Sequence, residues 1–117
     1  MLLVIEDRAL SDVLAEALVE AGHVATQVAD AAAAHIAFGE QSFDAVIVDL
    51  DTRARDGVHL IARLRAEQPM TTVIALLPCG GLPATAARPP YHLAVEKPAR
   101  LAAILSAVNV AHVASRN

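Results

Sequence analysis

Cysteine occurs once in this chain of 117 residues, at Cys79, so no internal disulfide can form. A lone thiol fits a reducing compartment and reads as a small, partly buried hydrophobe. Aromatic side chains are nearly missing: two Phe, one Tyr and no Trp. The core must therefore be aliphatic, and the 56% hydrophobic content supplies the Ala, Val, Leu and Ile for it. That content also excludes a disordered chain. Runs of Lys or Arg are absent and the net charge is −4, which leaves duplex nucleic acid no electrostatic footprint. The opening MLLVIEDR meets acid after five residues, so it is not a signal peptide. The longest apolar stretch, Leu101 to Ala114, contains Asn109 and His112 and is too short to cross a bilayer. A soluble, cytoplasmic protein of one domain over residues 1–117 is expected, with no membrane partner.

Two kinds of segment alternate along the chain. Leu2 to Ile5 is a short continuous apolar run, the pattern of a strand covered on both faces. Leu10, Val13, Leu14, Ala17 and Leu18 are spaced to line one face of a helix, and Gly22 stands where a cap glycine belongs. Val24, Thr26 and Val28 alternate as a second strand. Asp30 is a good N-cap for an Ala-rich helix that Gly39 can close. Phe43 to Val48 makes a third strand, and Val58 to Glu67 a helix with Leu60, Ile61 and Leu64 inward, ended by Pro69. Val73 to Leu77 and Leu93 to Val95 come next as strands. A last helix spans Leu101 to Ala114, with Leu101, Ile104, Leu105 and Val108 on its core stripe.

Between Pro78 and Pro90 the regularity fails. Pro78, Pro83, Pro89, Pro90 and the pair Gly80-Gly81 leave only Ala84 to Arg88 free to be helical, so the fourth helix is expected to be short or irregular. Strands alternating with helices imply a parallel α/β sheet with right-handed crossovers. Five strands fit the flavodoxin-like order 2-1-3-4-5, whose ligands sit at strand C-termini beside the switch between the first and third strands.

That rule directs attention to the residues just past each strand. Glu6 and Asp7 come after the first, Asp49 and Asp51 after the third, Glu96 and Lys97 after the fifth, with Pro98 next. Carboxylates gathered this closely repel one another unless a cation compensates. Hard oxygen ligands that keep some water suit Mg²⁺. An Asp beside such a metal and a fixed Lys is a plausible phosphoryl acceptor, because cations stabilise the equatorial oxygens during in-line attack. The plainer alternative is that these acids only cap helices and keep loops hydrated.

These residues and their spacing resemble a response-regulator receiver domain over the whole chain. Glu6-Asp7 matches the acidic pair after the first strand and Asp49 the phosphoacceptor. Gly57 matches the glycine opening the third helix, and Lys97-Pro98 the lysine and proline after the fifth strand. The resemblance implies that Asp7 and Asp49 ligate Mg²⁺ by side chains, Asp51 by its backbone carbonyl, and Glu6 through water or directly. It implies that Lys97 contacts the phosphoryl group or Asp49. The donor is then a histidine kinase or a histidine phosphotransfer protein, and the output is contact with a downstream protein target. The chain is not a turnover enzyme on this view, and it is a monomer or weak homodimer.

Three positions depart from the pattern. The family's hydroxyl at the end of the fourth strand falls on Leu77, and no hydroxyl lies from Ile74 to Gly81. The next residue, expected to offer a backbone N–H to the phosphoryl group, is Pro78, which has none. The switch aromatic of the fifth strand falls on Ala94, with Tyr91 three residues too early and expected on the surface or in a loop. Arg53 replaces the usual proline after the acceptor. An atypical receiver is therefore expected, with a weak or short-lived phosphate or phosphate-independent signalling.

Two other readings compete. Asp49-Leu50-Asp51-Thr52 resembles the DxD start of haloacid-dehalogenase-like phosphatases, but that motif belongs after a first strand and too little chain remains for the rest of it. A phosphorylation-independent pseudo-receiver, binding proteins through the same fold, is the stronger alternative. His23, His35, His59, His92 and His112 show no ligand spacing, with His35 and His59 expected on exposed helix faces. Arg53 and Arg55 either pair with the acidic site or lie solvated in a loop. With no further domain after Asn117, output is expected through protein contact. In receivers this face is usually the fourth helix, fifth strand and fifth helix, to which Val110 and Val113 can contribute.

Overall fold

The computed structural model describes residues 1–50, 54–77, 91–96 and 104–106. The described elements, in chain order, are β1 (Leu2–Val4), α1 (Arg8–Glu20), β2 (Thr26–Val28), α2 (Ala31–Glu40), β3 (Ala45–Asp49), α3 (Ala54–Glu67), β4 (Thr72–Leu77) and β5 (Leu93–Glu96). Residues 104–106 are helical. All five strands are parallel and lie in the order β2-β1-β3-β4-β5. This is the flavodoxin-like arrangement expected from the alternation, and it places the switch point between β1 and β3.

The strand sequences explain why both faces are covered. Leu2, Val4, Val46, Val48, Val73 and Ala75 turn to one face, where Ala34 and Phe38 of α2 and Leu60, Ile61 and Leu64 of α3 pack on them. Leu3, Ile5, Ala45, Ile47, Ile74 and Leu76 turn to the other, against Leu14, Ala15 and Leu18 of α1 and Ile104. Successive side chains of a strand point to opposite faces, so a run apolar at every position needs two cores. Each buried aliphatic side chain contributes roughly 1.5–3 kcal/mol relative to exposure.

Local chemistry sets the helix ends. Asp30 caps α2, its carboxylate accepting from the Ala33 N–H at 2.8 Å. Gly22, at φ 93°, closes α1: its N–H donates to the Val19 carbonyl and the His23 N–H to the Leu18 carbonyl. That pair of bonds is the Schellman arrangement, which glycine adopts without steric cost. The edge strand β2 is tied to α1 by Gln27, whose amide donates to the buried Ser11 hydroxyl and to Asp12. The Gln27 bond, ahead of other effects, holds the Asp12 carboxyl below its ordinary value. The buried Thr71 hydroxyl donates to the Phe43 carbonyl at 2.7 Å, and Gln68 donates to the Phe38 carbonyl, fixing the turn before β4.

Several boundaries differ from the sequence expectation. Val13 is 53% exposed, and its place on the inner face of α1 is taken by the smaller Ser11 and Ala15. Val24 is 79% exposed and precedes β2, because the ladder begins where the Thr26 N–H donates to the Met1 carbonyl. Gly39 does not close α2, which runs to Glu40 with Gln41 as its cap. β3 runs from Ala45 to Asp49, with the buried Phe43 ahead of it. α3 starts at Ala54, four residues early, since Ala and Arg favour helix although Ala54 to Asp56 show no apolar stripe. His59 is exposed as expected, but His35 is half-buried and packs its ring on Phe38 at 5.0 Å. The expected fourth helix, Cys79, Val110, Val113 and the Leu101 and Val108 positions of the last helix lie outside the described residues.

Gly57, in the first turns of α3, sits directly against Leu50. A Cβ on Gly57 would stand 2.4 Å from Leu50 Cδ2, and Leu50 is fully buried with little room to yield. Gly57→Ala should destabilise the fold by about 1–3 kcal/mol through overpacking. In a Leu50→Ala background the same change should cost less than half as much, because the pair is coupled. Urea unfolding of the four proteins of this cycle measures it; equal cost in both backgrounds would refute the contact.

Candidate functional site

The C-terminal edge of the sheet is built from β1, β3, β4 and β5. Val4 pairs with Val48, so the chain leaving β1 and the end of β3 emerge side by side. Ile5 stays buried and its N–H donates to the Val28 carbonyl, which carries the ladder one residue past β1. Glu6 and Asp7 then emerge exposed. Asp7 is pinned as the N-cap of α1: its Oδ1 accepts from the Leu10 N–H at 3.2 Å and its carbonyl from the Ser11 N–H. A carboxylate there also meets the positive end of the helix dipole. The capping alternative for these acids thus holds for Asp7, and capping occupies one oxygen of the two.

Asp49 is the last residue of β3 and is half-buried. Immediately after it, the Leu50 N–H donates to the Leu76 carbonyl at 2.9 Å while the Leu50 side chain is fully buried. Leu50 thus anchors the chain just after the acid twice, by a ladder bond and by the Gly57 contact. Sequence reasoning missed this anchor, whose signal was an apolar residue between two acids with a glycine a helical distance later.

Asp49 pairs with Leu76, so β4 runs one residue further, to Leu77, at the same edge. Leu77 is half-buried and packs its side chain on the core cluster of α2 and α3. The end of β4 is therefore apolar, with no hydroxyl on either Leu76 or Leu77. Leu77 pairs in turn with Glu96, which brings the end of β5 to this edge. Ala94 lies mid-strand opposite Ala75 and is exposed. Tyr91 lies in the loop before β5, as expected, and is half-buried there on the α2–α3 side of the core.

The structure thus gathers the Glu6, Asp7, Asp49, Leu77 and Glu96 positions at one edge. Asp51, Arg53, Pro78, Lys97 and Pro98 lie outside the described residues, as does the Arg55 side chain. Among the described residues no group of three or more His, Cys, Asp or Glu side chains is placed to hold a metal ion. Glu6, Asp7 and Asp49 by themselves do not close into one. A cavity of about 200 Å³ between Val24, Thr26 and Asp44 lies at the opposite pole and contains none of these residues. Among the described residues no helix is long and apolar enough to cross a membrane.

Comparison with known proteins gives a consistent answer. The family model for the response regulator receiver domain matches residues 1–109. The transcriptional regulatory protein TcrA of Mycobacterium tuberculosis is 37% identical over 82 residues, which is 69% of this chain and 32% of that protein. The chain therefore spans about a third of the length of the curated relatives it matches. The receiver domain of NtrX from Brucella abortus superposes with a TM-score of 0.82 at 23% identity, covering 94% of this chain and 95% of that one. The receiver domain of the Francisella response regulator 1452 gives a TM-score of 0.79 at 19% identity, with 97% and 96% covered. At such identities the structural likeness speaks for the fold, and the sequence family carries the assignment. From β1 through most of the chain's C-terminal segment, this protein belongs to the response-regulator receiver family.

Proposed function

We propose that this domain accepts a phosphoryl group on Asp49 from a histidine kinase or histidine phosphotransfer protein and reports it by protein–protein contact. The observation that carries the reading is the half-buried Asp49 at the end of β3, beside the acids that leave β1. A carboxylate oxygen of Asp49 forms a bond to phosphorus as the donor's phosphorus–nitrogen bond breaks, and the imidazole of the donor keeps the electron pair. Lys97, adjacent to Glu96 in the chain, would neutralise the equatorial oxygens. The domain is consumed and reset in this chemistry and does not turn over a substrate.

The donor set fits a hard cation. Exposed Asp7 and half-buried Asp49 offer carboxylate oxygens, Asp51 would add its backbone carbonyl, and Glu6 would act through water. Mg²⁺ held there would supply charge stabilisation at the phosphoryl oxygens. Because capping occupies one Asp7 oxygen, the two duties of this residue can be separated. Asp7→Asn keeps an N-cap acceptor but loses the charge. Mg²⁺ should raise the unfolding midpoint of the unaltered protein, as any ligand of the native state must. Asp7→Asn should fold with its cap intact and lose most of that response. A Mg²⁺ response that survives both Asp7→Asn and Asp49→Ala would place the cation elsewhere.

The apolar end of β4 limits the phosphorylated state. Leu77 has no hydroxyl and Pro78 no N–H, so two donors to the phosphoryl group are missing, each worth about 1.5–3 kcal/mol. Leu77→Thr should therefore increase the steady-state phosphorylated fraction reached with a small acyl-phosphate donor and Mg²⁺, by about tenfold in the equilibrium ratio. Intact mass measurement, with Asp49→Ala as the blank, reads it. The same apolar edge favours the second reading, a phosphorylation-independent interaction domain. That reading stands if the unaltered protein takes up no phosphate under conditions where Leu77→Thr does.

A further inference from the structure

We propose that His92 is a proton-operated clamp: its neutral ring holds the backbone N–H of Val73 and fixes where β5 begins, and its protonation releases that end of the strand. The geometry is specific to one residue pair. Val73 turns both its backbone groups toward β5. Its carbonyl accepts from the His92 N–H at 2.9 Å, and its own N–H donates to His92 Nδ1 at 2.9 Å. Regular pairing begins only at the next residue, where Ile74 stands opposite Leu93. The imidazole thus takes the place of a strand carbonyl and ends the ladder with a side chain. Val73 is fully buried with the ring in place, so the clamp shields its N–H from solvent until the ring lets go.

Protonation must break this bond. Both nitrogens of an imidazolium are donors, and Nδ1–H facing Val73 N–H is two donors head to head. The guanidinium of Arg65, in the last turn of α3, also contacts His92 at Nε2. A neutral ring accepts at one nitrogen only; the backbone N–H is fixed, so Nδ1 is the acceptor and the flexible Arg65 gives way. Arg65 then remains as a positive charge beside the ring. Burial first, and Arg65 second, hold the imidazole below its ordinary value. Arg65 is the facing charge on α3, while Arg63 and Glu67 of that helix pair with each other. β4 carries no ionisable side chain, and the adjoining Tyr91 packs on the core.

The native state binds the proton less well than the unfolded chain, so the contribution of the clamp is present above the ordinary imidazole range. It is lost as pH falls through that range toward the lowered native value. The consequence reaches the acidic edge because β5 is a short edge strand of four residues, with Glu96 at its other end and Lys97 next in the chain.

Amide hydrogen exchange of the full chain by NMR, corrected for the intrinsic pH dependence of exchange, tests the clamp at Val73. Acidification through the His92 titration should lower Val73 protection about tenfold, the scale of one lost hydrogen bond. His92→Asn places a non-titrating acceptor oxygen on the same Cγ and should keep the protection level over that range. Arg65→Gln should move the fall to higher pH, and His92→Leu should lack the protection throughout. A Val73 protection that ignores the His92 titration, or falls equally in His92→Asn, overturns the proposal.

Discussion

The pairing of β1 with β3 is the constraint on which the rest of the structure depends. These two strands are not neighbours in sequence, and their parallel register, Leu2 to Val46 through Val4 to Val48, sends the chain away from them in opposite directions. From β1 it proceeds through α1 to β2 on one side; from β3 it proceeds through α3 to β4 on the other. No crossover covers the edge between them, so the residues leaving β1 and ending β3 face the same opening. The aliphatic core on both faces makes that register firm: a slip of one residue would exchange every inward side chain between two differently shaped cores.

Function is laid onto this frame by residues that serve two purposes. Asp7 ends the loop from β1 and starts α1, so the helix cap holds a carboxylate at the opening. Leu50 comes directly after Asp49, and by burying its side chain against Gly57 while staying in the ladder it holds the acid at a fixed height. Both devices use ordinary packing and capping interactions to position charge. At β4 the balance is reversed: Leu77 is given to the core, and the edge loses a polar contact there. Asp49 thus stands in a firm frame beside an apolar strand end.

Much of this was legible in the sequence, and particular residues show why. Runs such as Leu2 to Ile5 and Ala45 to Val48 announce strands buried on both faces, and Asp30 and Gly22 announce helix ends, because each of these signals is local. The acids after the strands were legible once the strand order was inferred. What escaped depended on contacts distant in sequence. Val13 has the spacing of a core residue, yet the smaller Ser11 fills that position and is satisfied by Gln27 from β2. His92 has no motif around it, and its partner Val73 is nineteen residues earlier, visible only as a strand register. The Leu50–Gly57 contact likewise needs β3 and α3 folded together.

The central claim is that the edge between β1 and β3 is a cation site that serves Asp49. Paramagnetic broadening by Mn²⁺ in NMR spectra, displaced by excess Mg²⁺, tests it most directly. The account predicts broadening centred on the amides of Glu6, Asp7, Asp49 and Leu50, with Thr26, Asp44 and Met70 at the opposite pole left sharp. Broadening that centres on that pole, or that spreads over the surface acids without preference, would contradict it.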